Sequence, residues 1–243
     1  MKNVFAIPET TGTPTWASNP SFSHRLLRAI ELAVRKAWDN LHSNIVLARQ
    51  LSAAKKEEQI SHLLHKALND LREGKTGKVE AYDCYHFGHP QVAPEILTPF
   101  GKIKKPDLVF HLAGPARPGV ADSLTDAIYV ECKLLEHGSI KNVGAYCKNG
   151  IARFVEGSYG AWMREGMMLA YTRTSQALPG DLAKSLSKQQ NKDNLATKGT
   201  LKRCALTRVD PPTYISVHER NWSYVDGSGQ PGPIEIRHLW LHI

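Results

Sequence analysis

"KKPDLVFHLAG" (residues 104–114) and "AIYVECKLLE" (127–136) decide the reading of this chain. Apolar and β-branched residues dominate both stretches, so both read as buried strands. The connection between them, "AGPARPGVADS" (113–123), is rich in Gly and Pro and points to neighbouring antiparallel strands. Each strand also breaks its own pattern. The first opens on Asp107, and the second carries Glu131 and Lys133 inside an apolar run. Residues two apart on a strand leave the same face, so Glu131 and Lys133 share one face while Cys132 takes the other.

Ionised groups buried without partners cost several kcal/mol each, on the order of what a small domain has to spare. Two carboxylates and an amine at one sheet edge therefore need compensation. A divalent cation supplies it: Mg²⁺ prefers hard oxygen ligands and commonly takes only one or two protein carboxylates besides water and phosphate. Lys133 would then orient or deprotonate an attacking water and steady the charge on a phosphate.

Outward from these strands, the periodicity changes twice. Residues 1–22 are rich in Pro, Thr, Ser and Asn and read as an extended arm, with Trp16 as a strap onto a second subunit. From Ser23, apolar residues recur at helical spacing, which predicts a long helix over 23–50, with a break near His42–Asn44 as an option, and a second over roughly 52–73 that Gly74 ends. "KVEAYDCYHFG" (78–88) alternates and predicts a strand. Residues 139–173 read mostly as helix, split by glycines into two shorter ones. A polar, basic stretch follows at 180–203, and the tail predicts strands at 204–209, 213–219 and 234–243. The fold class is thus mixed α/β, with a central sheet flanked by helices and an N-terminal helical segment. The arm at 1–22 precedes a single domain over 23–243, with its core at about 50–210.

The 243 residues carry a net charge of +8 and 42% apolar residues, enough for a real core, and basic enough to favour a polyanionic partner. The four cysteines form no C-x-x-C pair, which argues against a zinc ribbon and a disulfide framework. No stretch approaches a membrane span and no signal-peptide core is present, so a cytoplasmic protein without a membrane partner is expected.

Pro106-Asp107 followed by Glu131-Cys132-Lys133 resembles the PD-(D/E)xK nuclease superfamily, the restriction-endonuclease-like fold. The order of helix, three antiparallel strands, helix and further strand is similar as well. The resemblance covers roughly residues 50–170. It implies that Asp107 and Glu131 are metal ligands, with the Cys132 carbonyl as a further one, and that Lys133 is the catalytic lysine. It also implies a supporting helical glutamate. Glu57 and Glu58 are the candidates in "KKEEQISHLLHKAL" (55–68), and Glu57 is preferred because it shares a face with Ile60 and Leu64. On the helix after the lysine strand, Arg153 and Tyr146 are expected to face the site, with Tyr159 behind them. The implied cofactor is Mg²⁺, with Mn²⁺ as a substitute. The implied activity is phosphodiester hydrolysis on double-stranded DNA, in a restriction or anti-phage defence setting, as a homodimer or as a subunit of a larger defence complex. Lys104, Lys105, Arg153, Lys184 and Lys188 are the expected phosphate contacts.

Plainer readings stand beside these. The charged residues on the two strands could form a structural ion-pair network, and Arg153 could pair with Glu156. The protein could bind nucleic acid or assemble on it without cutting. His62 and His65, and His86 with His89, have zinc-like spacing but no third ligand, so they read as surface histidines. His238 and His242 flank Trp240 on what reads as a partly exposed sheet edge.

Overall fold

The computed structural model describes residues 21–115, 126–135, 140–173, 178–205, 211–225, 227 and 229–243. Residues 1–20 of the expected arm, including Trp16, lie outside the described residues.

The chain begins with α1 (His24–Ser43), α2 (Ile45–Ala53) and α3 (Glu57–Arg72). The long expected helix is divided at Asn44. Its backbone is extended there, and its side chain accepts from the amides of Val46 (3.0 Å) and Leu47 (3.1 Å), so one residue ends α1 and caps α2. Short strands β1 (Gln91–Val92), β2 (Ile96–Leu97) and β3 (Ile103–Lys104) lead into β4 (Leu108–His111) and β5 (Ala127–Leu135). Then come α4 (Ile140–Tyr146), a π-helical turn over Cys147–Ile151, α5 (Ala152–Val155) and β6 (Glu165–Thr172). The rest is α6 (Leu178–Ser187), α7 (Gln189–Asn194), β7 (Thr197–Arg203), β8 (Tyr214–His218) and β9 (Ile234–His242).

Seven strands form one mixed sheet in the order β1-β4-β5-β6-β9-β8-β7, and β2 pairs with β3 as a separate hairpin. As expected, β4 and β5 are antiparallel neighbours, while β5, β6 and β9 run parallel. β9 lies between β6 and β8, so the tail of the chain supplies a central strand.

Helices cover both faces of this sheet. On one, Trp38 of α1 stacks on Tyr171 of β6 at 5.6 Å between ring centres, and the Ser61 hydroxyl of α3 meets the Tyr171 hydroxyl at 3.0 Å. The same face holds a buried ion pair between Arg237 of β9 and Glu31 of α1. On the other face the π-helical turn crosses Met168. A Cβ on Gly150 would meet the Met168 methyl at 2.3 Å, so only glycine allows the helix this close to the strand.

The buried Arg220 holds the two β-strands' approaches together. Its guanidinium donates to the carbonyls of Gly160, Ala161 and Met163 before β6, and of Pro231 and Gly232 before β9.

Four expected elements are corrected. Residues 78–88 form no strand: Ala81 has φ +60, Asp83 accepts from the amides of Tyr85 and His86 in a turn, and only isolated bridges occur. Within 139–173, residues 165–172 are strand β6, not helix. Every residue of it is buried, and a short continuous apolar run has no period to separate strand from helix. The strand expected at 204–209 lies earlier, as β7 at 197–203, and residues 206–210 lie outside the described set. His238 is not at an edge: β9 is central, and His238 is fully buried between Tyr146 (2.9 Å) and Ser216 (2.8 Å). Burial pushes it down to a pKa of about 3, so it stays neutral.

Among the described residues, no helix is long and apolar enough to cross a membrane.

Candidate active site

β4 is only four residues long and its pairing with β5 begins at Leu108 opposite Val130. β5 runs on for five residues beyond that point, so among the described residues one edge of it from Glu131 onward has no strand partner. The backbone groups of this edge are taken by side chains instead. Asp107, just before β4, accepts from the Cys132 amide at 2.6 Å. Glu57, the first residue of α3, accepts from the Leu134 amide at 2.8 Å. Alternate amides point to one side of a strand, so two carboxylates line that edge.

Glu131 faces the α5 side and is 1% exposed. The Lys133 ammonium lies 2.7 Å from Glu131, 3.0 Å from Glu57 and 2.6 Å from the Cys132 carbonyl. Arg153 of α5 bonds Glu131 at 3.1 Å and the Tyr159 hydroxyl at 2.6 Å, and that hydroxyl donates to the Lys105 carbonyl at 2.9 Å. The carboxyls of Asp107 and Glu131 lie within hydrogen-bonding reach of each other. Cys132, on the opposite face, is buried and accepts from Tyr171 at 3.3 Å, which anchors the strand from behind.

Burial and the neighbouring Asp107 charge push Glu131 up to a pKa of about 7. Burial also raises Glu57 and Asp107 above the usual carboxylate range, against the pull of Lys133 and the strand amides. Burial alone would lower Lys133, but the carboxylates of Glu131 and Glu57 outweigh it and hold the group above its ordinary value. Lys133 is therefore a cation at neutral pH. With three carboxylates against Lys133 and Arg153, the fully ionised cluster carries one net negative charge in a desolvated place.

The donor set fits a hard divalent cation. Two neighbouring carboxylates with raised pKa values, Glu131 buried and Asp107 half-buried, are what such an ion would relieve, and the Cys132 carbonyl opens on the same strand edge as Asp107. Among the described residues, no group of three or more His, Cys, Asp or Glu side chains is arranged to hold a metal ion. Mg²⁺ does not need such a group, since one or two carboxylates suffice.

The structure thus brings together Asp107, Glu131, Lys133, Glu57 and Arg153, with the Cys132 carbonyl among them. Glu58 is exposed and turned away. Arg153 pairs with Glu131 rather than with Glu156. Tyr146 is corrected: it lies over β9, two strands from β5, with its hydroxyl on His238. Lys104 and Lys105 sit immediately before the site, with Lys105 paired to Glu95 at 2.9 Å. Lys184 and Lys188 are exposed on and after α6, which packs on α4 and β7. β7 is four strands from β5, about 19 Å at ordinary strand spacing, so the basic residues of that strand do not adjoin the carboxylates. His65 bonds the Pro90 carbonyl at 2.8 Å, His86 pairs with Asp83 at 2.8 Å, and His89 bonds Asn69 at 2.8 Å.

The Tyr159 link was read only as lying behind Arg153, and the role of the strand edge was not read at all. The shortness of β4 relative to β5 was the available signal. No family model matches this chain, and neither a curated protein nor a solved structure matches it significantly.

Proposed function

We propose that this chain is a metal-dependent phosphodiester hydrolase acting on DNA, on a restriction-endonuclease-like fold. One observation carries the reading: Asp107 and Glu131, both desolvated, meet beside the Lys133 ammonium at a strand edge that no strand of the described residues covers.

Asp107, Glu131 and the Cys132 carbonyl would hold Mg²⁺ or Mn²⁺. The bound ion would lower the pKa of a water and offset charge on the phosphate. The chain's own groups do the rest. Lys133 keeps its proton at neutral pH, so it acts as a hydrogen-bond donor that orients the nucleophile and stabilises developing negative charge, not as a base. Glu57 fixes that ammonium in place while it holds the Leu134 amide. Arg153 holds Glu131 with one nitrogen, and a guanidinium has further donors for a phosphate oxygen. A divalent ion changes the cluster's net charge from one negative to one positive, which suits a phosphodiester's single negative charge.

The basic balance of the chain and Lys104 beside the site favour a polyanionic substrate. The test is plasmid nicking with Mg²⁺, beside Glu131→Ala and Lys133→Ala. Metal-dependent cutting by the unchanged chain, lost in both variants, supports the reading. Binding without cutting, unchanged by either substitution, replaces it with a non-catalytic nucleic-acid-binding protein. Turnover of nucleotides but not polymers replaces it with a small-ester hydrolase.

A further inference from the structure

Two residues, Lys105 and Pro106, separate the end of the β2–β3 hairpin from Asp107. Across this hairpin Ile96 pairs with Lys104 and Leu97 with Ile103. Cross-strand partners share a face. Ile96 packs against the protein core, so its face is the inner one. Leu97 and Ile103 therefore stand opposite each other on the outer face, each 62% exposed.

The hairpin is held firmly. The Thr98 amide donates to the Lys102 carbonyl at 2.9 Å, and the Thr98 hydroxyl accepts from the Lys102 amide at 3.2 Å. Gly101 turns the chain with φ +70, which favours glycine. Phe100 at the tip keeps 40% of its surface exposed and rests edge-on against Trp222 at 5.2 Å. Trp222 in turn donates to the Val155 carbonyl at the end of α5. The stem is tied to the candidate active site through the Lys105 carbonyl, Tyr159, Arg153 and Glu131. Lys102 and Lys105 are exposed on this arm.

We propose that the outer face of this hairpin receives the unpaired bases of a single nucleic-acid strand. Leu97, Ile103 and Phe100 meet the base faces, and the exposed Lys102 and Lys105 lie along the backbone. The proposal rests on the phosphodiester reading and names the form of its substrate. An intact duplex hides its base faces and offers phosphates and base edges. A single strand offers negative charge and flat apolar faces together, which is the combination this arm complements. A second copy docked by a twofold on the same ridge would set its lysines against their own images. The Lys105–Glu95 pair is exposed and exchanges readily for a phosphate.

The test measures fluorescence anisotropy of a labelled single-stranded oligonucleotide and of a duplex of equal length, in chelator so that nothing is cut. The proteins are the unchanged chain, the double variant Leu97→Ser/Ile103→Ser, and Ile45→Ser as an equally exposed apolar control on α2. The single strand binds more tightly than the duplex. The double variant loses about tenfold on the single strand, in the range of one lost base stack, and the control changes less than about twofold. Because both replaced residues are exposed, the melting temperature of the double variant stays with that of the unchanged chain. Equal affinity for duplex, or undiminished single-strand binding by the double variant, overturns the proposal. So does a fall in solution mass of the double variant, which assigns the ridge to a second copy. Failure of plasmid nicking is a separate result, since binding here is read without turnover.

Discussion

Glu57 and Asp107 bind alternate amides of the same strand edge, Leu134 at 2.8 Å and Cys132 at 2.6 Å, from segments 50 residues apart in sequence. Each carboxylate thus stands in for a missing strand partner. The cost of leaving the last residues of one β5 edge without a strand partner among the described residues is offset by the same groups that concentrate charge beside Glu131.

Glu57 is a positioning residue for Lys133. Glu57→Gln keeps an oxygen for the Leu134 amide but loses the charge beside the ammonium. Nicking by Glu57→Gln falls about 10- to 100-fold in kcat with little change in KM, the usual range for a supporting partner. Glu57→Asp restores part of the rate. Glu58→Gln, on the exposed side of the same helix turn, stays within about twofold. Equal losses at both positions would show that the helix terminus as a whole matters, not this contact.

Without metal, the contribution of Glu131 to stability falls as pH rises from about 4.5 to about 7, while the buried His218 and His238, held down to about 4 and about 3, act in the opposite direction below about 6.5. The folded chain keeps a proton on Glu131 across that interval, whereas the unfolded chain has released it at the ordinary value of 4.5. Asp107 and Glu57 shift in the same direction. Lys133 contributes stability that is lost only above its ordinary 10.5, outside this interval. Mg²⁺ therefore raises the melting temperature more at pH 8 than at pH 5.5. Scanning calorimetry with and without Mg²⁺ at both values checks this, and equal shifts would refute it.

Gly166→Ala destabilises the chain by about 1–3 kcal/mol, as overpacking of a full core does. A Cβ there would meet the Phe154 ring at 2.6 Å, and an aromatic ring cannot bend out of the way. Phe154→Leu in the same chain recovers part of the loss. Urea denaturation of the two variants reads both effects.

Arg220→Met destabilises by about 3 kcal/mol or more, since it strands several buried carbonyls at once. Arg220→Lys recovers little, because an ammonium has three donors and no planar fork. Denaturant midpoints compare the two.

The chemistry of this chain was easier to read than its topology. Asp107, Glu131 and Lys133 interrupt apolar runs, so strand alternation alone placed the last two on one face, and helical spacing separated Glu57 from Glu58. β6 was missed because a strand buried on both sides loses its alternation, and methionines and glycines suit either state. β7 was missed for the opposite reason. "TKGTLKR" is polar nearly throughout, and an edge strand with one solvated side resembles a loop. Arg220 gave no signal at all: an isolated Arg before Asn-Trp looks exposed, and only the fold brings five carbonyls to it. The hairpin at 96–104 was not read, because its strands are two residues long and too short to show alternation.

The outer strand β7 has a further consequence. Lys198, Lys202 and Arg203 point into water from it, Gly199 turns at φ +69, and its ladder with β8 slips between Lys198 and Lys202. At the other end of the sheet, β1 offers only two residues. A bent, positively charged rim and a stub are poor templates for another backbone. Neither margin of the sheet therefore favours pairing with the backbone of a second copy.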